Sequence, residues 1–282
     1  GRKVLLVLDQ SDGEQTGVVA MAAEYCEADD VTFLARQARG LVSLALTEER
    51  CEQLNLPPMV DPATSGAVKL SIEASTGIDT GISAADRART VRVAVAPEAK
   101  PSDLVQPGHI FPVATLRGGV LIRTGAAEAG VDLASLAGLT PAAIFAEVLD
   151  AQGEMANAEA LVEFADKHEL TVGRVTDLVD YRLNHSRTVD LIRSGLVQTA
   201  NGEFLLSVYQ ESTQGHIHMA LSTGDISADS PTVVRVHTTC TLRDLMSIPA
   251  PERSSWSIQA SLARVREEGR GVVVLINKEA TD

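Results

Sequence analysis

Acidic and histidine side chains stand at turns and strand ends of this sequence, where they could hold a cation or move protons. Asp12 and Glu14 share a glycine-containing loop, and such acids either stay solvated or supply oxygen ligands to a hard cation. His109 follows Pro-Gly, where a lone histidine in a loop is either a structural hydrogen-bonder or a proton carrier. Glu147 ends an apolar run, so it is either a solvated strand-end acid or an acid in a pocket.

The other side chains that could bind a metal lie far apart in the sequence or lack a third ligand. His216 and His218 alternate along one predicted strand and could chelate a metal, but no third ligand accompanies them. Cys26, Cys51 and Cys240 lie far apart with no CxxC pair, so neither a disulfide framework nor a zinc knuckle is encoded. This use of cysteine is typical of a reducing cytoplasm.

Composition narrows the classes of partner. The 282 residues, 45% of them hydrophobic and 22% charged, suffice for one large domain and a smaller one. The formal charge of −14 repels phosphate backbones and anionic lipid, so nucleic acid and membranes are not expected partners. An anionic substrate would need a local basic pocket. No apolar run approaches the roughly 18 residues that span a bilayer.

Strand and helix patterns alternate in the first part of the chain, which predicts an α/β (α+β) unit with helices layered around a mixed sheet. Asp29 or Asp30 is expected to cap the second helix. The predicted strands are residues 3–8, 40–46, 68–74, 120–122, 142–149 and 171–174; the predicted helices are residues 18–26, 31–38, 47–54, 83–91, 126–137, 156–168 and 176–183.

A polar, basic stretch at residues 184–193 is typical of a linker, and the texture changes after it. We therefore predict two domains, 1–183 and 184–282, of which the second is small and mostly β. Its predicted strands are residues 203–210, 216–222, 232–236 and 271–276, with one helix at 257–268.

Long strings in the first domain carry a family resemblance. Gly77–Thr90 (GIDTGISAADRART), Pro107–Pro112 (PGHIFP) and Leu133–Leu139 (LASLAGL) resemble dihydroxybutanone phosphate synthase of riboflavin biosynthesis in order and spacing. Val234–Cys240 and Glu267–Val272 are similar to the front half of GTP cyclohydrolase II, which implies a truncated second domain. The resemblance also implies a homodimer with active sites completed across its interface.

In the synthase family, ribulose 5-phosphate loses one carbon as formate while a divalent metal holds the enediol oxygens, a lyase-like reaction. The family's acidic loop, D-R-E-N-E-G-D, reads here from Asp12 to Val18. Glu14 keeps the metal-ligand glutamate, but Gly13, Thr16 and Val18 replace the arginine, the second glutamate and the catalytic aspartate. Mg²⁺ is therefore expected to find an incomplete site, so no cofactor is expected.

The family's second motif, R-x-G-H-T-E-A, reads Arg123 to Ala129 here, with alanine in place of both the metal-binding histidine and the threonine. The resemblance assigns proton transfer to His109 and Glu147. It assigns substrate contacts to four residues: Arg123, Thr80, Glu128 and Ser43. Arg123 could hold a phosphate or carboxylate through its planar fork.

The cyclohydrolase family needs three thiolates on zinc. Only Cys240 stands at a ligand position, and residues 241–256 contain no C-D-C motif. Neither zinc nor GTP hydrolysis is therefore expected in the second domain.

Three hypotheses follow. The first is a divergent enzyme that acts on a small anionic, sugar-phosphate-like substrate by acid/base chemistry, without the parental formate-releasing reaction. The second is a non-catalytic riboflavin-pathway paralogue that regulates or scaffolds the pathway, and the third is a weak authentic synthase.

Overall fold

Two compact units make up the chain, Gly1–Ser186 and Arg187–Asp282. The computed structural model describes residues 2–10, 13–59, 67–212, 215–227, 229–238, 244 and 256–277. No helix within these ranges is long and apolar enough to cross a membrane.

The first unit is built on a seven-stranded sheet of order β4-β5-β3-β6-β2-β1-β7. Two neighbouring pairs, β3 with β5 and β1 with β7, run parallel, and the other pairs run antiparallel. The predicted mixed sheet is thus confirmed. The strands are β1 (Val4–Asp9), β2 (Gln15–Ala22), β3 (Ser43–Thr47), β4 (Ile72–Ala74), β5 (Leu104–Thr115), β6 (Ala142–Glu147) and β7 (Thr171–Arg174).

Helices cover both faces of this sheet, which produces three layers. The helices are α1 (Ala28–Phe33, followed by a π-helical turn at Leu34–Ala38), α2 (Glu48–Gln53), α3 (Ala84–Val95), α4 (Ala126–Leu136), α5 (Ala158–His168) and α6 (Val175–His185). Helices α1, α2, α3 and α5 contribute side chains to the core on one face. Helices α4 and α6 pack on the other, against Leu6, Val18, Ala20, Ala45, Ala143 and Phe145. We call this second side the α4–α6 face.

The prediction of a helix at residues 18–26 was wrong, because residues 18–22 belong to strand β2 and only a 3₁₀ turn follows, at Ala23–Tyr25. Strand β2 pairs antiparallel with β1, with Val18 opposite Leu6. Its side chains alternate, so Val18 faces α4 and α6 while Val19 faces the other core. A strand buried on both faces is apolar throughout, and such a run has no period that separates it from a helix.

Three further local predictions were wrong. The cap of α1 is Glu27, whose backbone N–H donates to the Asp30 carboxylate at 3.0 Å in a capping box. His109 lies in strand β5 rather than in a loop. Residues 120–122 form no strand; a 3₁₀ turn occupies Gly119–Leu121, closed by a hydrogen bond from Ile122 N–H to the Gly119 carbonyl.

Two buried acids of α4, one helical turn apart, fasten the loop after β5 and helix α6. Glu128 accepts a hydrogen bond from Leu116 N–H at 3.2 Å. Asp132 accepts one from Val120 N–H at 3.0 Å and forms an ion pair with Arg182 of α6 at 2.5 Å. Burial raises the pKa of Asp132. The hydrogen bond from Val120 and the ion pair with Arg182 offset the free-energy cost of burying this carboxylate.

The second unit is a five-stranded sheet of order β11-β12-β10-β9-β8 with one helix. Phe204, Leu221, Leu262 and Val273 form its core. The boundary between the units, after Ser186, lies within the predicted linker at 184–193, but the linker is shorter than predicted, because α6 continues to His185 and the next strand pairs from Val189 onward. The elements are β8 (Val189–Thr199), β9 (Gly202–Glu211), β10 (Ile217–Thr223), β11 (Val233–Thr238), α7 (Ile258–Glu267) and β12 (Gly271–Ile276).

Replacing Asp132 with alanine should lower the free energy of unfolding of the first unit by about 3 kcal/mol, because it leaves Arg182 and Val120 N–H without their buried acceptor. Urea unfolding measures the change. The control is Asp180→Ala on the exposed side of α6, which should change stability by less than about 0.5 kcal/mol. Equal effects of the two substitutions would contradict the role given to Asp132.

Candidate functional site

Polar side chains line one end of the α4–α6 face in neighbouring strands. Ser43 of β3 pairs with Phe111 of β5 on one side and with Phe145 of β6 on the other. His109 and Glu147 each lie two residues further along, toward the same end of the sheet. Side chains two residues apart share a face, so both lie on the same face as Ser43, in the next row toward that end of the sheet. Two strand spacings, roughly 10 Å, separate the backbones of His109 and Glu147.

His109 sits at the end of a bulge in β5. The pairing of β4 with β5 jumps from Ile72 opposite Ile110 to Glu73 opposite Val105, so residues 106–109 have no partners in that ladder. Gly108 N–H donates to the buried Ser71 hydroxyl at 3.1 Å. A side chain at Gly108 would come within 2.1 Å of the Ile72 carbonyl carbon. The bulge is therefore pinned tightly against β4.

Glu73 holds the histidine ring itself. Its carboxylate is hydrogen-bonded to His109 Nδ1. The Glu73 side chain is only 15% exposed, whereas that of His109 is 43% exposed. Sequence reasoning missed Glu73. The alternation of residues 68–74 was the available signal, because it places Glu73 on the face of the sheet opposite to the buried Ile72.

The loop that carries Thr80 closes over Glu73. Gly81 has a φ of +78°, and a side chain there would meet the Glu73 carboxylate at 1.8 Å, so only glycine fits. Asp86 of α3 holds the loop by accepting hydrogen bonds from Asp79 N–H at 3.3 Å and Gly81 N–H at 3.0 Å. Thr80 itself is exposed, and its loop brings it to the same end of the sheet as His109.

Burial alone would raise the pKa of Asp86, but hydrogen bonds from Ser83, Asp79, Gly81 and Thr80 together lower it. The ionised carboxylate of Asp86 therefore holds the loop in place.

Ser43 and Glu147 differ in how far their side chains are exposed to solvent. The Ser43 side chain is buried, and its hydroxyl donates to the Leu41 carbonyl at 3.4 Å. Glu147 is half-buried, and its strand position lies opposite Val18 of β2. The apolar Val18 thus occupies the neighbouring place in the row, where a carboxylate would otherwise share the site with Glu147.

Arg123 and Glu128 lie at the other end of β5. The Arg123 Nε donates to the Glu128 carboxylate at 2.9 Å, and its guanidinium also donates to the Ala114 carbonyl at 3.2 Å. Ala114 and His109 are five residues apart along β5, roughly 16 Å in an extended strand. One copy of the chain therefore brings together His109, Glu147, Ser43 and Thr80, but not Arg123 and Glu128.

Glu14 borders a separate cavity of about 360 Å³. The other lining residues are Gly13, Gln15, Thr16, Met155, Ala156, Asn157 and Ala158, so among them only oxygen and nitrogen atoms of uncharged groups accompany the carboxylate. Within the described ranges, no three His, Cys, Asp or Glu side chains are grouped closely enough to hold a metal. The donors that the described residues place around Glu14 do not fit the divalent cation that the resemblance implies.

Sulfur chemistry has no place in the described part of this chain. Burial raises the pKa of Cys26 to about 12 and that of Cys51 to about 11, so both remain protonated thiols. The prediction for Cys240 lies outside the described residues, and His216 and His218 belong to the second unit.

The loop over Glu73 should open in acid. Because the folded-state pKa of Asp86 is lowered, its hydrogen bonds are complete above the ordinary aspartate value of 3.8 and are lost as the pH falls through the folded value. The amide proton shift of Gly81, followed by NMR, should stay constant at neutral pH and move only below that value. Asp86→Asn should abolish the titration, and a Gly81 shift that titrates equally in this variant would contradict the assignment.

Comparison with known proteins adds the family. Residues 1–181 match the family model of 3,4-dihydroxy-2-butanone 4-phosphate synthase, and residues 192–282 match that of GTP cyclohydrolase II. A Pseudomonas syringae protein named 3,4-dihydroxy-2-butanone 4-phosphate synthase is 47% identical over 277 residues, which cover 97% of this chain and 75% of that protein. An Aquifex aeolicus protein named riboflavin biosynthesis protein RibBA is 41% identical over 97% of this chain and 68% of its own length.

Solved structures agree. The crystal structure of RibBX, a two-domain 3,4-dihydroxy-2-butanone 4-phosphate synthase from A. baumannii, superposes with a TM-score of 0.76 at 40% identity, over 100% of this chain and 80% of that one. A synthase structure in complex with two magnesium ions superposes with a TM-score of 0.61 at 33% identity, over 66% of this chain and 92% of that one. The chain therefore belongs to the 3,4-dihydroxy-2-butanone 4-phosphate synthase family, in the form that carries a GTP cyclohydrolase II region after the synthase region.

Proposed function

We propose that this chain is a divergent synthase-family enzyme that acts on a small anionic, sugar-phosphate-like substrate by acid/base chemistry and has lost the metal-dependent release of formate. One observation carries the proposal: Val18 lies opposite Glu147 in the sheet register, at the place of the family's catalytic aspartate, while His109 remains firmly held by Glu73. The site has lost one of its acids but has kept its base.

The spacing suits a small substrate. With roughly 10 Å between their backbones, the side chains of His109 and Glu147 can reach a molecule of a few carbons lying between them over Ser43. His109 would remove a proton from a carbon beside a carbonyl, whose oxygen would take up the electron pair, and Glu147 would return a proton to that oxygen or to the neighbouring carbon. Thr80, exposed at the same end, would contact a hydroxyl of the substrate.

Arg123 is proposed to bind the anionic group of the substrate. Because the Arg123 guanidinium is bound at the Ala114 carbonyl, roughly 16 Å along β5 from His109, its contact with the substrate is proposed to require a second copy of the chain. This separation supports the homodimer that the family resemblance implies. Glu128, 1% exposed, would then position the Arg123 fork rather than touch the substrate.

Neither the proton transfer nor the binding of the anion is proposed to use a metal. Glu14 is the single retained ligand of the family's divalent cation, and Val18 and Ala126 are apolar where the aspartate and the histidine would stand. The second unit, with Cys240 as its one thiolate at a ligand position, is proposed to hydrolyse no GTP. The buried, unpaired thiols Cys26 and Cys51 suit the cytoplasmic location proposed here.

Two alternatives have support. A non-catalytic, regulatory paralogue is favoured by Arg123, whose guanidinium is already satisfied by Glu128 and the Ala114 carbonyl. A weak authentic synthase is favoured by the names of relatives that are 44–47% identical to this chain.

Incubating the purified protein with ribulose 5-phosphate and Mg²⁺ should yield no formate by NMR beyond the rate without protein, because the sequence retains only Glu14 of the ligands that the family uses for the metal. A variant that restores the family residues, Gly13→Arg, Thr16→Glu, Val18→Asp, Ala126→His and Ala127→Thr together, should gain formate release. Val162→Asp, an exposed site on α5, is the matched control and should gain none.

Enzymatic formate release by the unaltered chain would contradict the proposal and favour the authentic synthase. Proton exchange at a sugar-phosphate carbon in D₂O, lost in His109→Ala and Glu147→Ala, would support it. Binding of ribulose 5-phosphate without any exchange or turnover would favour the regulatory alternative.

A further inference from the structure

We infer that Glu73 is a positioning residue that fixes which nitrogen of His109 faces the substrate. The inference rests on the function proposed for His109, but the contact that carries it stands apart from any activity. Glu73 is outside the set of residues that the family motifs assign to the reaction.

The chemistry of the contact sets the direction. An ionised carboxylate can only accept hydrogen bonds, so the His109 Nδ1 that meets Glu73 must carry the proton. The hydrogen bond made by one ring nitrogen determines the role of the other. In the neutral ring, Nε2 is therefore the basic nitrogen. Because Nδ1 is turned toward a carboxylate that is only 15% exposed, Nε2 on the opposite side of the ring is the nitrogen left to meet a substrate.

The surroundings hold Glu73 in this one orientation. On one side Gly81 lies so close that a single carbon atom there would overlap the carboxylate. On the other side β4 pins the bulge of β5 through Ser71 and the close approach of Gly108 to Ile72. The close approach of Gly81 limits the room of the carboxylate on one side, and the pinned bulge fixes the backbone of the histidine.

The consequence for proton transfer is specific. His109 Nε2 would take the proton from the substrate carbon, and the electron pair left behind would delocalise into the adjacent carbonyl. The Nδ1 proton would stay between the ring and Glu73, whose negative charge would stabilise the imidazolium that forms. Without Glu73 the ring could present the protonated nitrogen to the substrate, which would make it unable to act as a base.

NMR of ¹⁵N-histidine-labelled protein near about pH 8, above the ordinary histidine pKa, tests the inference. The His109 signals, identified by their loss in His109→Ala, should show a protonated Nδ1 in the unaltered chain. In Glu73→Gln, whose amide can donate as well as accept, that signature should be lost in favour of a mixture of tautomers. Glu98→Gln, an exposed glutamate near the end of α3, is the matched control and should leave the His109 signals unchanged.

Unchanged His109 signals in a folded Glu73→Gln protein would overturn the inference, and so would an unprotonated Nδ1 in the unaltered chain. Should Glu73→Gln fail to fold, Glu73→Asp serves instead, because its shorter side chain removes the contact while it keeps the charge. The readout needs no substrate. If the tautomer responds as expected but no sugar phosphate exchanges a proton, the positioning role stands and the proposed function fails.

Discussion

Burial of both faces of the seven-stranded sheet is the constraint on which the first unit depends. Because both faces are apolar, a strand that slips by one residue would exchange side chains of different size between two close-packed cores, so packing fixes the register rather than an alternation of apolar and polar residues. That register places Ser43 between Phe111 and Phe145 and sets Val18 opposite Glu147. The arrangement of the site therefore follows from how the apolar residues are buried, and its polar side chains take the places left at the uncovered end.

Local chemistry made the helices predictable from the sequence. Thr47 and Ser83 each accept a backbone hydrogen bond at the start of a helix, as their side chains favour, and the predicted helices at 47–54 and 83–91 both form. The failure at β2 has the opposite cause. Its residues are apolar on both faces because α4 and α6 cover one and α5 covers the other, and that information is tertiary.

The candidate site was predictable residue by residue, but not as a constellation. His109 and Glu147 were identified from family strings, and only the register shows that they share a row. Glu73 and His109 are 36 residues apart, and their contact depends on a bulge that no local pattern announces. The distance of Arg123 from that row was equally hidden, because the order of strands in a sheet is not written in the spacing of residues along the chain.

The bulge of β5 separates two demands that usually compete. Residues 106–109 make no pairs with β4, so, apart from Gly108, which must approach Ile72 closely, their side chains are not part of the ladder that stabilises the sheet. The row beside them can exchange acids for apolar residues, as at Val18, because a valine suits a buried strand at least as well as an aspartate. Residues at the reactive end of this fold can therefore be substituted one at a time while the sheet keeps its stability.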